Sequence, residues 1–401
     1  MFSFRIIAKE HEARAGILVT PHGPIETPSF VAVGTQATVK ALSQEELRKI
    51  GTQVIITNAY HLHLQPGENL IEKMGGLHEF MSWNGPLMTD SGGFQIFSLG
   101  AGKEHGVGKI APIFPDEMDR GGHLSSKKGT SLVRVDEEGV EFTSYLDGSR
   151  HRFTPEQVMD IERRLGADII LPLDECTSPL HDYAYTKAAM ERTHRWALRA
   201  LEEFGRFERS QALLGIVQGG AYRDLREESA LFIGALEFHG YAIGGSLGRS
   251  KKEMYQVLEW TIPLLPQDKP RHLLGIGEIE DIFEVVSRGI DLFDCVTPTR
   301  MARTGTLLAK SAERFRIHIL NAKFRDDPRP IDEECSCDTC RTHSRAYLRH
   351  LFIARELLAI RLATVHNLHF LESLMVEIRN AIKEERLSVL REEWLPKKPS
   401  H

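Results

Sequence analysis

Three aspartates stand directly after short apolar runs: Asp90 after Pro86–Thr89, Asp174 after Asp168–Leu173 and Asp294 after Asp291–Phe293. Carboxylates gathered in one pocket push each other's pKa values apart, so that one stays ionised while another can carry a proton. That suits displacement at a sugar anomeric carbon, where one carboxylate attacks and another handles the leaving group's proton. Each aspartate alone would also fit a helix N-cap. Asp90 fits that role worst, because Ser91-Gly92-Gly93 follows it and two glycines favour close backbone approach to a ligand.

A second chemical cluster is Cys335-Ser336-Cys337-Asp338-Thr339-Cys340, with three of the chain's 5 cysteines. A disulfide between Cys335 and Cys337 is geometrically poor. Three thiolates converging on Zn²⁺ need only a loop and a fourth ligand. The nearby imidazoles are His343, His350, His366 and His369. His343 is too close to Cys340 to fold back, whereas His366 lies far enough on for a helix to go out and the chain to return. A free-thiol loop is the competing reading. Four protein ligands would leave no open position, so the expected metal is one structural Zn²⁺ per chain rather than a catalytic one.

The elements that must position these groups follow from the apolar pattern. Eight short runs recur: Phe30–Val33, Val54–Thr57, Pro86–Thr89, Asp168–Leu173, Leu213–Val217, Tyr241–Ile243, His272–Leu274 and Asp291–Phe293. Amphipathic stretches separate several of them. Ser43-Gln44-Glu45-Glu46 and Thr154-Pro155-Glu156-Gln157 carry helix-start signatures. Buried runs alternating with helices read as parallel β/α units, and eight of them predict an α/β (β/α)₈ barrel over an open doubly wound sheet. In a barrel, chemistry collects at the C-terminal ends of the strands, and the polar or glycine-rich clusters do follow the runs. Residues 1–325 are the expected barrel, with a surface insertion at about 101–128. Residues 326–401 are the expected zinc-binding subdomain and closing helices.

Composition sets further limits. With 401 residues, 41% of them apolar, and 33 glycines, the chain can build a sizeable core. No apolar run is long enough to span a bilayer. The start, Met1-Phe2-Ser3-Phe4-Arg5, lacks a signal-peptide pattern, and a cytoplasmic location is expected. The net charge of −6 gives no global pull on nucleic acid, so such a partner needs a local basic patch. Lys and Arg do concentrate between Arg300 and Arg325, and Arg341, Arg345 and Arg349 recur every four residues, as one ridge would on a helix. There is no Walker A motif, no complete G-x-G-x-x-G after a strand and no H-E-x-x-H. In addition, Glu278, Glu280 and Asp281 would repel a pyrophosphate after Gly275-Ile276-Gly277. No nucleotide cofactor is therefore expected.

Taken in order, the motifs resemble those of the tRNA-guanine transglycosylases, the queuine tRNA-ribosyltransferases, of bacterial type. The motifs are Asn58-Ala59-Tyr60-His61-Leu62, Asp90 to Gln95, Leu146 to Arg150, Asp174-Glu175-Cys176, Gly215 to Gly220, Tyr241 to Gly245, Phe293 to Arg300 and the set Cys335, Cys337, Cys340 and His366. The resemblance runs from about Phe4 to Arg379. It implies a (β/α)₈ barrel with a zinc subdomain. The implied reaction exchanges the wobble guanine of GUN-anticodon tRNAs (Asp, Asn, His, Tyr) for a 7-deazaguanine base, preQ1 or queuine. Asp294 would be the nucleophile at ribose C1′ and Asp90 the acceptor of the incoming base's N9 proton. Asp90, Ser91, Gly92, Gly93, Phe94, Asp174, Gln218, Gly245 and Leu274 would bind the base. The stretches Gly275, Ile276, Gly277, Glu278, Ile279, Glu280, Asp281 and Thr299, Arg300, Met301, Ala302, Arg303 would meet the anticodon loop. A homodimer is implied as well. A non-catalytic tRNA- or base-binding subunit is the alternative, but such subunits typically lose the nucleophile motif that this chain keeps.

Two features depart from the family. The 101–128 insertion is long. Bacterial relatives follow Gly-Gly with Leu-Ala-Val-Gly-Glu, whereas here Gly245 precedes Ser246-Leu247-Gly248-Arg249-Ser250. Arg249 aligns with that Glu, which supports the carbonyl receiving the preQ1 ammonium. Ser246 replaces a bulky Leu, leaving room for the cyclopentenediol of queuine.

Overall fold

A computed structural model describes residues 2–97, 133–207 and 210–395. The chain opens with an antiparallel meander of β1 (Ser3–Glu10), β2 (Ala13–Thr20) and β3 (Gly23–Thr27). β4 (Ser29–Val33), β5 (Ile55–Asn58) and β6 (Leu87–Asp90) begin the barrel. A second antiparallel sheet interrupts it: β7 (Val133–Val135), β8 (Val140–Thr143) and β9 (Arg150–Phe153). β10 (Ile169–Ile170), β11 (Ala212–Val217), β12 (Gly240–Ile243), β13 (Arg271–Leu273) and β14 (Leu292–Asp294) complete it. The barrel is closed, in the order β10-β11-β12-β13-β14-β4-β5-β6, and all its pairings are parallel. All eight expected runs are barrel strands. β10 is the shortest because Pro172 has no N–H to donate to a ladder.

Period-two alternation divides each strand between two cores. Val31, Ile56, Met88, Ile169, Leu214, Ile216, Ala242 and Leu292 fill the barrel interior, joined by Leu18 and Ile25 of the meander. Phe30, Ile55, Leu87, Ile170, Leu213, Tyr241, Leu273 and Phe293 face outward against the helices. Both anticipated helix starts are capping boxes, Ser43 with Glu46 and Thr154 with Gln157. The 27-residue helix Leu357–Lys383 packs on β1, β2 and β4. Beside it a smaller core gathers Ala302, Leu307, Ile319, Phe324, Ile331, Leu348 and Ala363 around Cys337 and Cys340.

The arginine ridge does not form. The helix Asp338–Thr342 ends at His343, and Ser344 caps a new helix, Arg345–Ile353, by accepting from the Tyr347 N–H at 3.2 Å. Arg341 turns to Asp338, Arg345 turns inward to Asp327 and the Ile331 carbonyl, and Arg349 donates to the Leu320 and Asn321 carbonyls. The spacing of four is broken by a cap between the first arginine and the second. The 101–128 insertion lies outside the described residues.

The meander is tied to the barrel by a buried fork. Arg14 donates from Nε to Asp291 Oδ1 at 2.9 Å and from Nη2 to Oδ2 at 2.5 Å, both groups being almost fully buried. Arg14→Ala would leave the Asp291 carboxylate without its guanidinium in a dry site, a loss of about 3–5 kcal/mol. Urea denaturation measures this, and a loss under about 1 kcal/mol would show that the fork does not anchor the meander.

Candidate active site and metal centre

Strand parity delivers the mouth of the barrel. Asp90 follows inward Met88 by two residues, Asp294 follows Leu292, Gln218 follows Ile216 and Asn58 follows Ile56. All four therefore point into the barrel at its C-terminal end. The three aspartates are held by donors from neighbouring segments. Asn58 Nδ2 donates to Asp90 Oδ2 at 2.8 Å, while Asn58 Oδ1 caps the helix Ala59–Leu64 by accepting from the His61 N–H. Gln218 Nε2 donates to Asp174 Oδ2 at 2.5 Å. His272 Nε2 lies 3.0 Å from Asp294 Oδ1, and the Gly275 N–H approaches the same oxygen at 3.4 Å.

Burial and mutual repulsion tune these groups. Burial, with the Asp294 carboxylate adding to it, raises the Asp90 pKa to about 6. Asp174 is raised to about 7, chiefly by burial and then by Asp90. Asp90 and Asp174 can thus carry protons near neutrality. Gln218 Oε1 is buried and has no partner, an acceptor waiting for a donor. Gly245, at φ +74°, passes so close that a Cβ there would sit 1.9 Å from that oxygen. A Cβ on Gly93 would likewise fall 2.7 Å from Asp174 Oδ1. Only glycine allows these two loops to close on the pocket. Ser91 is buried beneath the Asp90 loop with Gly92, and Leu274 packs on the interior cluster. Phe94 stands 57% exposed at the rim, its ring open for stacking.

Several supports were not legible as site residues. His272 is one; its signal was its place on the strand adjacent to that of Asp294 and its shared parity with Leu274. Arg226 is another. It is fully buried without a carboxylate and donates to the carbonyls of Val217, Gly220, Gly244 and Ser246, so it shapes the loops after β11 and β12. Glu175 accepts from Tyr185 and Arg192, which anchors the Asp174 loop to the helix Tyr183–Phe204. The Ser246–Ser250 loop is organised by Glu253, whose Oε2 accepts from the Arg249 N–H at 2.7 Å.

The two stretches expected at an anticodon loop divide by exposure. Ile276, Ile279, Asp281, Thr299 and Ala302 are buried, and Glu278 is paired with Arg316. Glu280 and Arg300 face outward, with Gly275, Gly277, Met301 and Arg303 half-buried. Burial, and then the Arg300 charge, lower the Arg303 pKa.

Cys335, Cys337, Cys340 and His366 converge far from the mouth in sequence. His366 Nδ1 lies 3.6, 3.5 and 3.3 Å from the three sulfurs. Tetrahedral Zn²⁺ with bonds of about 2.3 Å to sulfur and 2.0–2.1 Å to nitrogen requires S···N edges of roughly 3.5 Å. The opposite ring nitrogen, Nε2, is 2.5 Å from the Leu308 carbonyl, which leaves Nδ1 free to bind a metal. The four side chains can hold a metal ion.

A family model described as queuine tRNA-ribosyltransferase matches residues 9–114 and 115–400. The chain is 50% identical to a putative queuine tRNA-ribosyltransferase of Archaeoglobus fulgidus, covering 98% of both. It is 49% identical to the queuine tRNA-ribosyltransferase of Caldanaerobacter subterraneus subsp. tengcongensis over 98% of this chain and 97% of that one. It is also 49% identical to that of Herpetosiphon aurantiacus, covering 98% and 92%.

Asp174→Asn is expected to stabilise the protein while changing the pocket little in shape. A raised carboxyl pKa means that the folded state resists ionisation. Its cost is absent below about pH 4, where Asp is protonated folded or unfolded, and grows until about pH 7. The variant's Tm should therefore exceed that of the wild type at pH 8 and match it near pH 4. A lower Tm at pH 8 would mean that ionised Asp174 is held favourably.

Proposed function

The chain belongs to the queuine tRNA-ribosyltransferase family, and on that premise we propose that it replaces the wobble guanine of GUN-anticodon tRNAs with a 7-deazaguanine base by double displacement. The observation that carries this reading is the placing of Asp90 and Asp294 on one mouth, with Asp174 and the unpartnered Gln218 Oε1 beside them. A carboxylate oxygen of Asp294 bonds to ribose C1′ as the C1′–N9 bond of guanine breaks, and Asp90 gives its proton to the departing N9. The incoming base then returns an N9 proton to Asp90 and bonds to C1′, releasing Asp294. A pKa near 6 lets Asp90 serve in both directions. His272 orients Asp294 through Nε2–H. Asp174 and Gln218 accept from the N1–H and amino group of the base, the Gly245 N–H donates to its carbonyl, Phe94 stacks on it and Leu274 forms the floor. Arg300 and Arg303, without an ion-pair partner among the described residues, face the anticodon loop. Zn²⁺ held by Cys335, Cys337, Cys340 and His366 supplies rigidity only, since the set leaves no open position. A cytoplasmic homodimer is part of the same proposal; no described helix is long and apolar enough to cross a membrane.

The test is exchange of labelled guanine into tRNA. Asp294→Asn should fall below roughly a thousandth of wild-type exchange and form no denaturant-resistant tRNA adduct. The wild-type kcat/KM for tRNA should decline above about pH 6, as Asp90 loses the proton that the departing N9 takes. Substantial exchange by Asp294→Asn would overturn the nucleophile assignment.

The loop after Gly245 favours queuine over preQ1 as the incoming base. Arg249 replaces the family's Glu, Glu253 is engaged with the Arg249 N–H, and Glu278 is engaged with Arg316. Each carboxylate is thus already held by a donor of this chain. Competition of the two bases for one tRNA should show queuine at least as good a substrate. A preQ1 preference of about tenfold in kcat/KM, or about 1.4 kcal/mol, would reverse this reading of Ser246 and Arg249.

A further inference from the structure

The barrel's opposite end gathers a second set of metal-ligating side chains. Asp168 immediately precedes β10, and its carboxylate is 1% exposed. His22, on the β2–β3 turn, places Nδ1 2.7 Å from Asp168 Oδ1. His78, on the helix Gly76–Met81, places Nε2 3.2 Å from Asp168 Oδ2. The two imidazoles stack with centroids 3.5 Å apart and planes 17° apart.

We propose that His22, His78 and Asp168 form a second metal site, which takes one first-row divalent transition ion such as Zn²⁺ or Co²⁺. Two imidazole nitrogens and one carboxylate are the donor set such ions share. Their three ligand atoms lie within 4.8 Å of one another. Bonds of about 2.1 Å require N···O edges of roughly 3.0–3.4 Å between neighbouring ligands. The contacts at 2.7 and 3.2 Å run to different carboxylate oxygens and the rings are stacked, so binding one ion requires a ring to turn, and His22, 41% exposed on its turn, has the room to do so. Supporting contacts are in place. The Leu87 N–H holds Asp168 Oδ2 at 2.9 Å, and Thr20 Oγ1 braces the turn by donating to the Gly23 carbonyl and accepting from the His22 N–H. The exposed side of His22 leaves the remaining coordination positions to water. An ion there would clamp the meander, the helix Gly76–Met81 and the start of β10 together, at the end of the barrel away from the chemistry.

Cobalt distinguishes this site from the cysteine cluster, because thiolate ligands give intense near-ultraviolet charge-transfer absorption and N/O ligands give only weak visible bands. Full-length metal-free protein, titrated with Co²⁺ and checked by equilibrium dialysis, should take up about two equivalents, one of each kind. His22→Ala and His78→Ala should each lose only the weak-band equivalent and keep the thiolate absorption. Co²⁺ in excess of the cysteine site should raise the Tm of the wild type but not of either variant. His22 lies on an exposed turn, so its variant retains the fold, as its metal-free Tm will show. The weak-band equivalent sustains the proposal even if the thiolate absorption is missing, in which case the cysteine reading alone fails. Uptake of the thiolate-linked equivalent alone by the wild type, or of both by the two variants, would overturn it.

Discussion

Three carboxylates crowded at one end of a barrel repel one another, and much of the structure serves to hold them there. Charge costs most where water is excluded, and burial first and neighbouring like charge second raise the pKa values of Asp90 and Asp174. The restraint is distributed around the barrel. Each aspartate receives a hydrogen bond from a segment other than its own: Asn58 to Asp90, Gln218 to Asp174, and His272 with Gly275 to Asp294. A parallel closed barrel makes this possible, because adjacent strand ends sit about 5 Å apart and point the same way. An open sheet would leave its two edge strands without that partnership.

The two ends of the barrel divide their tasks. At the N-terminal end, Arg14 with Asp291 and the two histidines with Asp168 are matched charges or hydrogen-bonded polar groups that lock the meander in place. At the C-terminal end, polar groups are left under-satisfied: Gln218 Oε1 lacks a partner and Asp174 is poised near neutrality. Rigidity at one end permits strain at the other. Arg226 marks the transition, since its buried guanidinium spends its donors on loop carbonyls and fixes the walls of the pocket without neutralising the acids within it.

The barrel and its three aspartates were legible because both rest on local rules. A strand buried on both faces reads as a continuous apolar run, and a polar residue at its end stands out, as Asp90 does after Leu87-Met88-Thr89. The metal ligands were legible from spacing. His272 was not, because a lone histidine within an apolar run looks like core; the register pairs it with Leu292, and only its side chain reaches on to Asp294, at 3.0 Å. The antiparallel sheets β1–β3 and β7–β9 are not legible in the β/α repeat, because they add to it without sharing its period. The arginine ridge failed for a local reason: Ser344 is a strong N-cap, and it reset the helix between Arg341 and Arg345.

The hydrogen-bond pattern of the proposed base site carries its own selectivity. Asp174 and Gln218 Oε1 are acceptors, and the Gly245 N–H is a donor. A guanine-like edge offers two donors and a carbonyl, so every group finds a partner. An adenine-like edge presents a ring nitrogen that only accepts, and would leave a buried acceptor facing an acceptor, a mismatch worth about 1–3 kcal/mol for each unpaired group. With its pKa raised to about 7, Asp174 can donate when protonated, so the unpartnered Gln218 Oε1 carries the discrimination near and below neutrality and Asp174 adds to it once ionised. Burial, with Asp90 adding to it, raises the Asp174 pKa and so makes the pocket conditional: the base that binds must also stabilise the Asp174 charge that its dry site resists.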